Sequence, residues 1–126
     1  MNQLMAGESE HEPGGDEDTR LLVAARADPD SFGSFYDRNY QRVLAYFYRR
    51  TFCPHTSAEL TAETFAQVWA SLKRFNPEAG SGRGWLFGIA GNLYKQWLRR
   101  GVVREKARRR LGISTPHLTE DDLDRI

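Results

Sequence analysis

Side chains able to perform covalent or metal chemistry lie between Cys53 and Glu63, but their spacing does not suit an enzyme. Cys53 and His55 are two residues apart and have no second pair of metal ligands elsewhere in the chain, so a zinc site is not expected. Ser57 lacks the turn that presents a catalytic serine, and Glu59 and Glu63 share a helix face without a nearby histidine. The sequence therefore predicts a protein that is not an enzyme and that holds no metal or cofactor.

A second chemical candidate is the glycine-broken loop GSGRG at Gly80–Gly84, whose composition is that of a phosphate-binding loop. A nucleotide-binding loop of this kind follows a strand and is followed by a Lys-Ser or Lys-Thr pair. Neither feature is present in the sequence. Nucleotide binding is therefore not predicted.

The segment after this loop, WLFGIAGNLYKQWLRR, combines the side chains that bind single-stranded nucleic acid. Its two tryptophans and one tyrosine can stack on bases, Asn92 and Gln96 carry amides, and Lys95, Arg99 and Arg100 attract phosphates. The simpler alternatives are that the aromatic side chains pack in the core and that the cations form a solvated helix face.

Charge is strongly segregated along the 126 residues, whose net charge is only +1. Residues 1–19 carry −6, residues 20–72 carry +1, residues 73–110 carry +9, and residues 111–126 carry −3. Each phosphate that a basic block neutralises releases counterions, which favours association with nucleic acid. Residues 73–110 are therefore a candidate nucleic-acid surface.

Length and composition place these residues in one helical domain. A chain of 126 residues supports a single core, and no segment alternates with the period of two that marks a strand. No apolar run reaches the ~18 residues that span a bilayer, so we expect a cytoplasmic protein. The sequence predicts an all-α fold, a compact bundle of about four helices over residues 18–110. A disordered acidic tail is expected at residues 1–17, and an acidic linker, disordered or partly helical, at residues 111–126.

Apolar spacing and capping residues predict where the helices begin. The first helix is expected to have Asp18 or Thr19 as its N-cap, the second to begin near Asp30, and the third to begin at Ser57. The fourth is expected to begin around residues 83–85 and to be weakened at Gly101. The side chains predicted to face inward are Leu21, Leu22, Ala25, Phe32, Phe35, Tyr36, Tyr40, Val43, Leu44, Phe47, Leu60, Phe65, Val68, Trp69, Leu72, Leu86, Ile89, Leu93 and Trp97.

Two segments carry a set of motifs in a characteristic order. SAELTAETFAQVWASLKRF contains an acid-Leu-x-x-Glu-Thr-Phe run and a nearby tryptophan, and GRGWLFGIAGNLYKQWLRR contains Trp-Leu, Ile-Ala-x-Asn and trailing arginines. This order resembles region 2 of the sigma factors of the sigma-70 family, in the extracytoplasmic-function branch. The resemblance extends over residues 18–110.

The resemblance implies a transcription initiation factor that binds core RNA polymerase and that recognises and melts the promoter −10 element. The third helix would dock on the clamp helices of the largest polymerase subunit through Glu59, Leu60, Glu63 and Gln67. The loop and fourth helix would capture bases of the non-template strand. Phe75, Ile89 and Asn92 would line a pocket for one flipped base, and Arg83, Lys95, Gln96, Arg99 and Arg100 would contact the strand around it. An anti-sigma protein is a further partner that such factors often have.

The chain also departs from the family pattern. Ala62 stands where the family usually has glutamine, which is expected to weaken polymerase binding, and Gln96 stands where an aspartate is frequent. Nothing after Arg110 resembles region 4, which reads the −35 element, so the chain is expected to be a fragment that lacks region 4. Two other functions fit the same charge distribution: a helical protein-interaction adaptor and a nonspecific nucleic-acid-binding bundle.

Overall fold

Four α-helices and one short 3-10 helix make up the described part of the chain. The computed structural model describes residues 15–112. The α-helices are α1 (Gly15–Ala25), α2 (Pro29–Thr51), α3 (Pro54–Ala70) and α4 (Gly82–Leu111), and the 3-10 helix is Leu72–Arg74. No strand occurs within residues 15–112, so the predicted all-α bundle of about four helices is confirmed. No helix in this part of the chain is long and apolar enough to cross a membrane.

The helices begin where short side chains can bind the first backbone N–H groups. Asp28 caps α2 by accepting a hydrogen bond from the N–H of Asp30 at 3.1 Å, and Pro29 follows it at the first helical position. The third helix begins earlier than predicted, because Cys53 is its N-cap and Pro54 its first residue. Ser57 is therefore not a cap. It is buried inside α3, and its hydroxyl donates to the Cys53 carbonyl at 2.8 Å.

The first helix also begins earlier than predicted, at Gly15. Asp18 lies within α1 rather than at its N-cap, and it is fully buried. Residues 15–17, which were predicted to belong to the disordered acidic tail, are helical and form the start of α1. Of the predicted acidic linker, Leu111 is the last residue of α4 and Gly112 follows it. The rest of the predicted tail and linker lies outside the described residues.

The core lies where α1, α2, α3 and α4 meet, and most of the predicted stripe is in it. Its buried hydrophobic members are Leu21, Leu22, Ala25, Phe35, Val43, Phe47, Leu60, Phe65, Val68, Leu72, Phe75, Leu86, Ala90 and Leu93. Phe32, Ile89 and Trp97 are half-buried against this core. Trp69 is the largest exception, because its side chain is 49% exposed, and its ring makes an edge-to-face contact with Phe32. The prediction of a buried Trp69 is wrong.

The fourth helix is continuous through Gly101 and ends at Gly112, which adopts the left-handed conformation with φ of 72°. The helix packs against α1 and α3, and its buried residues Leu86, Ala90 and Leu93 lie in its first half. In the second half, large apolar side chains are exposed, including Val103 at 66%. This half of α4 therefore extends beyond the core and presents its basic residues to solvent.

Candidate nucleic-acid interface

A buried carboxylate fixes the start of α4 against the rest of the bundle. Asp18 Oδ1 accepts hydrogen bonds from Arg38 Nε at 2.9 Å and from Asn39 Nδ2 at 3.0 Å. Asp18 Oδ2 accepts one from Arg83 Nε at 3.3 Å and lies 3.2 Å from Arg83 Nη2. Two guanidinium groups and an amide thus compensate a carboxylate that has no contact with water. We call this group of four residues the Asp18 cluster.

The backbone of Gly82 approaches α1 closely beside the Asp18 cluster. The N–H of Gly82 donates to the hydroxyl of Thr19 at 2.9 Å, which satisfies one of the N-terminal donors of α4. A Cβ atom at this position would lie 2.9 Å from the carbonyl carbon and oxygen of Asp18 and 3.0 Å from Leu22 Cδ1. Glycine is therefore required here for the approach of the two helices.

The Asp18 cluster includes Arg83, which the resemblance assigned to DNA. Only 14% of the Arg83 side chain is exposed, and its guanidinium binds Asp18. Because the guanidinium is engaged with Asp18, we infer that Arg83 positions the start of α4, and its contact with DNA stays a prediction.

The loop between the 3-10 helix and α4 borders a partly open cavity of about 340 Å³. Phe75 and Trp85 form its aromatic walls, with their ring centroids 5.2 Å apart. Phe75 is only 3% exposed, whereas Trp85 is half-buried. The complete lining is Arg74, Phe75, Asn76, Ala79, Gly80, Ser81, Gly84 and Trp85. We call this site the loop cavity.

Ile89 and Asn92 are not among the residues that line the loop cavity. They follow Trp85 on the same face of α4, at four and seven residues, and Asn92 is therefore about 10 Å further along the helix axis. Ile89 is half-buried against the core and Asn92 is exposed. The predicted trio is thus divided: Phe75 lies in the cavity, and Asn92 lies on the helix beyond it.

The other predicted DNA-binding residues form an exposed strip on α4. Asn92, Lys95, Gln96, Arg99 and Arg100 are all exposed. The last three border one shallow depression on the helix surface, together with Val103 and Arg104. Because these side chains project from a regular helix anchored by Leu86, Ala90 and Leu93, their relative positions are fixed at the backbone. We call residues 92–100 of α4 the polar strip.

The face of α3 that was predicted to bind polymerase is divided by burial. Glu59, Glu63 and Gln67 are exposed, whereas Leu60 is only 6% exposed and belongs to the core. His55 Nε2 lies 3.2 Å from Glu59 Oε2, so the statement that the glutamate pair has no nearby histidine is wrong. The sequence signal was the i,i+4 spacing of His55 and Glu59.

A groove between α3 and α4 brings the two predicted interfaces together. Glu59, Glu63 and the small Ala62 line it from α3, and Trp97 and Arg100 line it from α4. Its volume is about 580 Å³, and Thr56, Leu60 and Ala66 complete the lining. Arg100 therefore borders both the polar strip and the acidic face of α3.

Comparison with known proteins decides the family. Sigma-70 region 2 matches residues 35–105, which run from α2 to the second half of α4. This match covers more than half of the 126 residues. The chain belongs to the sigma-70 region 2 family.

Several curated relatives carry corresponding names. The ECF RNA polymerase sigma factor SigK of Mycobacterium sp. (strain KMS) is 37% identical over 75 residues, which cover 60% of this chain and 39% of that protein. The RNA polymerase sigma factor YlaC of Bacillus subtilis is 36% identical over 73 residues, which cover 58% and 42%. The ECF RNA polymerase sigma factor SigE of Mycolicibacterium smegmatis is 33% identical over 78 residues, which cover 61% and 30%. These names confirm the resemblance to the extracytoplasmic-function branch.

The region 2 domain spans about two fifths of the length of the first of these relatives. No solved structure matches the chain significantly. The matched segment begins at residue 35, so α1 and its Asp18 lie outside it.

Sequence reasoning missed two residues of this region 2 domain that line the loop cavity. Asn76 accepts a hydrogen bond from the N–H of Glu78 at 3.0 Å through its side-chain oxygen, which orients its amide group beside the cavity. Arg74 borders the cavity and also the neighbouring groove between α1 and the end of α3. In the sequence the Asn-Pro pair predicts a turn, and the Asx turn that forms there also sets the direction of the Asn76 side chain.

Cys53, the half-buried N-cap of α3, has a perturbed thiol. Hydrogen bonds from the Thr56 side chain and then from the Thr56 backbone lower the pKa of Cys53 below its usual value. The Thr56 N–H lies 3.5 Å from Cys53 Sγ. These bonds stabilise the thiolate as a helix cap.

Proposed function

We propose that this chain is the promoter-recognition domain of a transcription initiation factor. In this proposal it binds core RNA polymerase through α3 and captures bases of the unpaired non-template strand of the −10 element through the loop cavity and the polar strip. The observation that carries the proposal is the position of an aromatic-walled cavity at the start of α4, next to exposed amides and cations on the same helix. Membership of the sigma-70 region 2 family supports it.

The loop cavity supplies what a flipped base needs. Unstacking a base costs a few kcal/mol, which contact with aromatic walls and hydrogen bonds to the base edge can offset. Phe75 and Trp85 provide the walls, and the oriented amide of Asn76 provides a donor. We therefore place the captured base against the half-buried Trp85, with the buried Phe75 supporting the indole from the core.

The polar strip acts on the next part of the strand. Because Asn92 lies about 10 Å along α4 from Trp85, it is better placed to meet a neighbouring base than the one in the cavity. Amides can distinguish base edges, whereas cations hold the backbone with little sequence information. We assign Asn92 and Gln96 to selectivity and Lys95, Arg99 and Arg100 to affinity.

The polymerase side of the proposal rests on the exposed carboxylates of α3. Glu59 and Glu63 are one helical turn apart and both are exposed, which suits a basic partner such as the clamp helices of the largest subunit. Gln67 continues this face by one turn. Leu60 supports the face from the core instead of contacting the partner.

The DNA-binding proposal is tested with single strands. A strand preferred by the chain is selected from a randomised pool, and its affinity is compared with that of a scrambled strand by fluorescence anisotropy. Asn92→Ala should weaken the preferred strand about 5- to 30-fold, as expected for loss of one hydrogen bond to a desolvated base edge, and should leave the scrambled strand nearly unchanged. Gln41→Ala, an exposed amide on α2, is the matched control and should change neither affinity.

Equal losses on both strands, or no loss, would remove Asn92 from base recognition. A wild-type chain that prefers no strand in the pool would support the nonspecific nucleic-acid-binding bundle. A chain with no measurable affinity for single strands would support the protein-interaction adaptor.

The polymerase contact is tested by retention on immobilised clamp helices. Glu63→Lys reverses a charge on the proposed face and should reduce retention by about 10-fold or more, because like charges then face each other across the interface. Asp37→Lys reverses an exposed charge on α2 and should leave retention unchanged. If both variants are retained like the wild type, α3 is not the docking face.

A further inference from the structure

Trp69 is exposed beside a basic groove that no part of the proposed function uses. The groove has a volume of about 480 Å³ and lies between the end of α1 and the segment that follows α3. It is lined by Ala25, Arg26, Trp69, Ala70, Ser71, Leu72, Lys73 and Arg74. This lining, all of it within the described residues, contains three cations and no acidic side chain. An exposed indole among cations is the combination that stacks on a base while attracting its phosphate.

Two sets of contacts orient residues that line the groove. Phe32 packs against Trp69 at 5.0 Å between ring centroids, with the ring planes inclined at 71°, which orients the indole. The guanidinium of Arg26 donates to the carbonyl of Leu72 at 3.1 Å and also to the carbonyl of Phe75. Arg26 therefore ties the groove wall to Phe75, a wall of the loop cavity, and Lys73 and Arg74 remain as exposed cations.

Arg74 connects this groove to the loop cavity, because it lines both. We infer that the Trp69 groove is a second nucleotide-binding position, in which a base of the same unpaired strand stacks on Trp69 while Arg74 binds the phosphate between this base and the one in the loop cavity. The inference rests on the proposed function, since it extends the path of the captured strand. The strand then passes from the polar strip through the loop cavity to Trp69.

The test compares aromatic truncations on extended strands. The strand selected by the 126-residue chain is extended on both sides, and each added position is replaced in turn by an abasic nucleotide. Trp69→Ala should weaken the extended strand about 5- to 150-fold, the range for loss of one stacked base. It should leave a strand trimmed to the motif almost unchanged. Tyr48→Ala, which removes a similarly exposed aromatic ring near the end of α2, should alter neither affinity.

At one position of the extended strand, an abasic nucleotide should weaken binding to the wild-type chain as much as Trp69→Ala does. The same abasic strand should bind Trp69→Ala no more weakly than the intact strand does. Trp69→Phe keeps an aromatic ring and should retain most of the affinity, so a folding defect in Trp69→Ala would not hide the answer. Additive losses at every abasic position, or full affinity in Trp69→Ala, would overturn the inference.

Two outcomes separate this inference from the proposed function. If Asn92→Ala abolishes sequence preference but Trp69→Ala has no effect, the second position fails and the proposed function stands. If Trp69→Ala binds DNA normally but is poorly retained on clamp helices, the groove contacts protein and the inference is overturned. If the wild-type chain binds no single strand, both fail.

Discussion

The two ends of α4 use arginine in opposite ways. At its start, Arg83 is mostly buried and binds the carboxylate of Asp18. In its second half, Arg99 and Arg100 are exposed on a helix that extends beyond the core. Both belong to the basic block of residues 73–110, so net charge alone does not distinguish them. The presence of a buried partner decides whether a cation positions the fold or is available to a ligand.

The difference has a mechanical consequence for the proposed binding site. The Asp18 cluster and the Thr19–Gly82 hydrogen bond hold the start of α4 against α1, and this is the end of the helix that carries Trp85. The aromatic wall of the loop cavity is therefore placed before any strand arrives. The polar strip then projects from the same rigid helix, which reduces the ordering that binding requires.

The largest expected effect comes from removing the buried carboxylate that holds the start of α4. Asp18→Ala leaves the guanidinium groups of Arg38 and Arg83 without their carboxylate, and it should lower the free energy of unfolding by about 3–5 kcal/mol. Urea denaturation followed by circular dichroism measures the change. Asp37→Ala, at an exposed carboxylate, should stay within about 0.5 kcal/mol of the wild type. Equal stabilities for the two variants would show that the Asp18 cluster is not a structural anchor.

A smaller effect is expected from the helix approach beside the Asp18 cluster. Gly82→Ala places a methyl group against the backbone of Asp18 and should destabilise the fold by about 1–3 kcal/mol. Gly88→Ala is the matched control in the same helix, because its Cβ would meet nothing within 4 Å. It should stabilise the fold by about 0.5–1 kcal/mol, since alanine favours a helix interior. Thermal melting of both variants tests whether the two changes have opposite signs.

The smallest effect is expected at the exposed arginines of α4, and it concerns the salt dependence of the affinity for single-stranded DNA. Arg99→Ala combined with Arg100→Ala should make the slope of log affinity against log salt shallower by about 1.4, at about 0.7 per phosphate contact on a single strand. Arg83→Gln removes a positive charge that binds the buried Asp18, so at a temperature where circular dichroism shows the variant folded its slope should match the wild type. Anisotropy titrations across a salt series give all three slopes. A shallower slope in Arg83→Gln would place Arg83 on the strand and erase the distinction.

The sequence predicted what local periodicity encodes. Phe35, Val43 and Phe47 recur at helical spacing in α2 and are fully buried, as expected. The pair of Asp18 and Arg83 is 65 residues apart in the chain, and no local pattern reports such a contact. The local pattern therefore predicts Asp18 or Thr19 as a cap, which is the usual role of such residues before an apolar run.

The exposed residues Trp69 and Asn92 show a second limit of prediction from sequence patterns. Trp69 lies next to the buried Val68 in α3, at the edge of the apolar face of the helix. Helical periodicity does not show whether an aromatic residue at that edge is buried or exposed. Phe75 lines the loop cavity, but the sequence did not reveal that the rise of α4 carries Asn92 beyond it. The separation of the loop cavity from the polar strip therefore could not be predicted from the sequence.

The measurement that tests base capture most directly compares one sequence in two forms. The affinity of the 126-residue chain for its preferred single strand is measured beside its affinity for the same sequence as a closed duplex, at one salt concentration. If the loop cavity captures an unpaired base, the single strand should bind at least about 10-fold tighter, because the duplex must first be unpaired and unstacked at a cost of a few kcal/mol. Equal or tighter binding of the duplex would show that phosphate attraction alone drives binding, and it would contradict the proposed function.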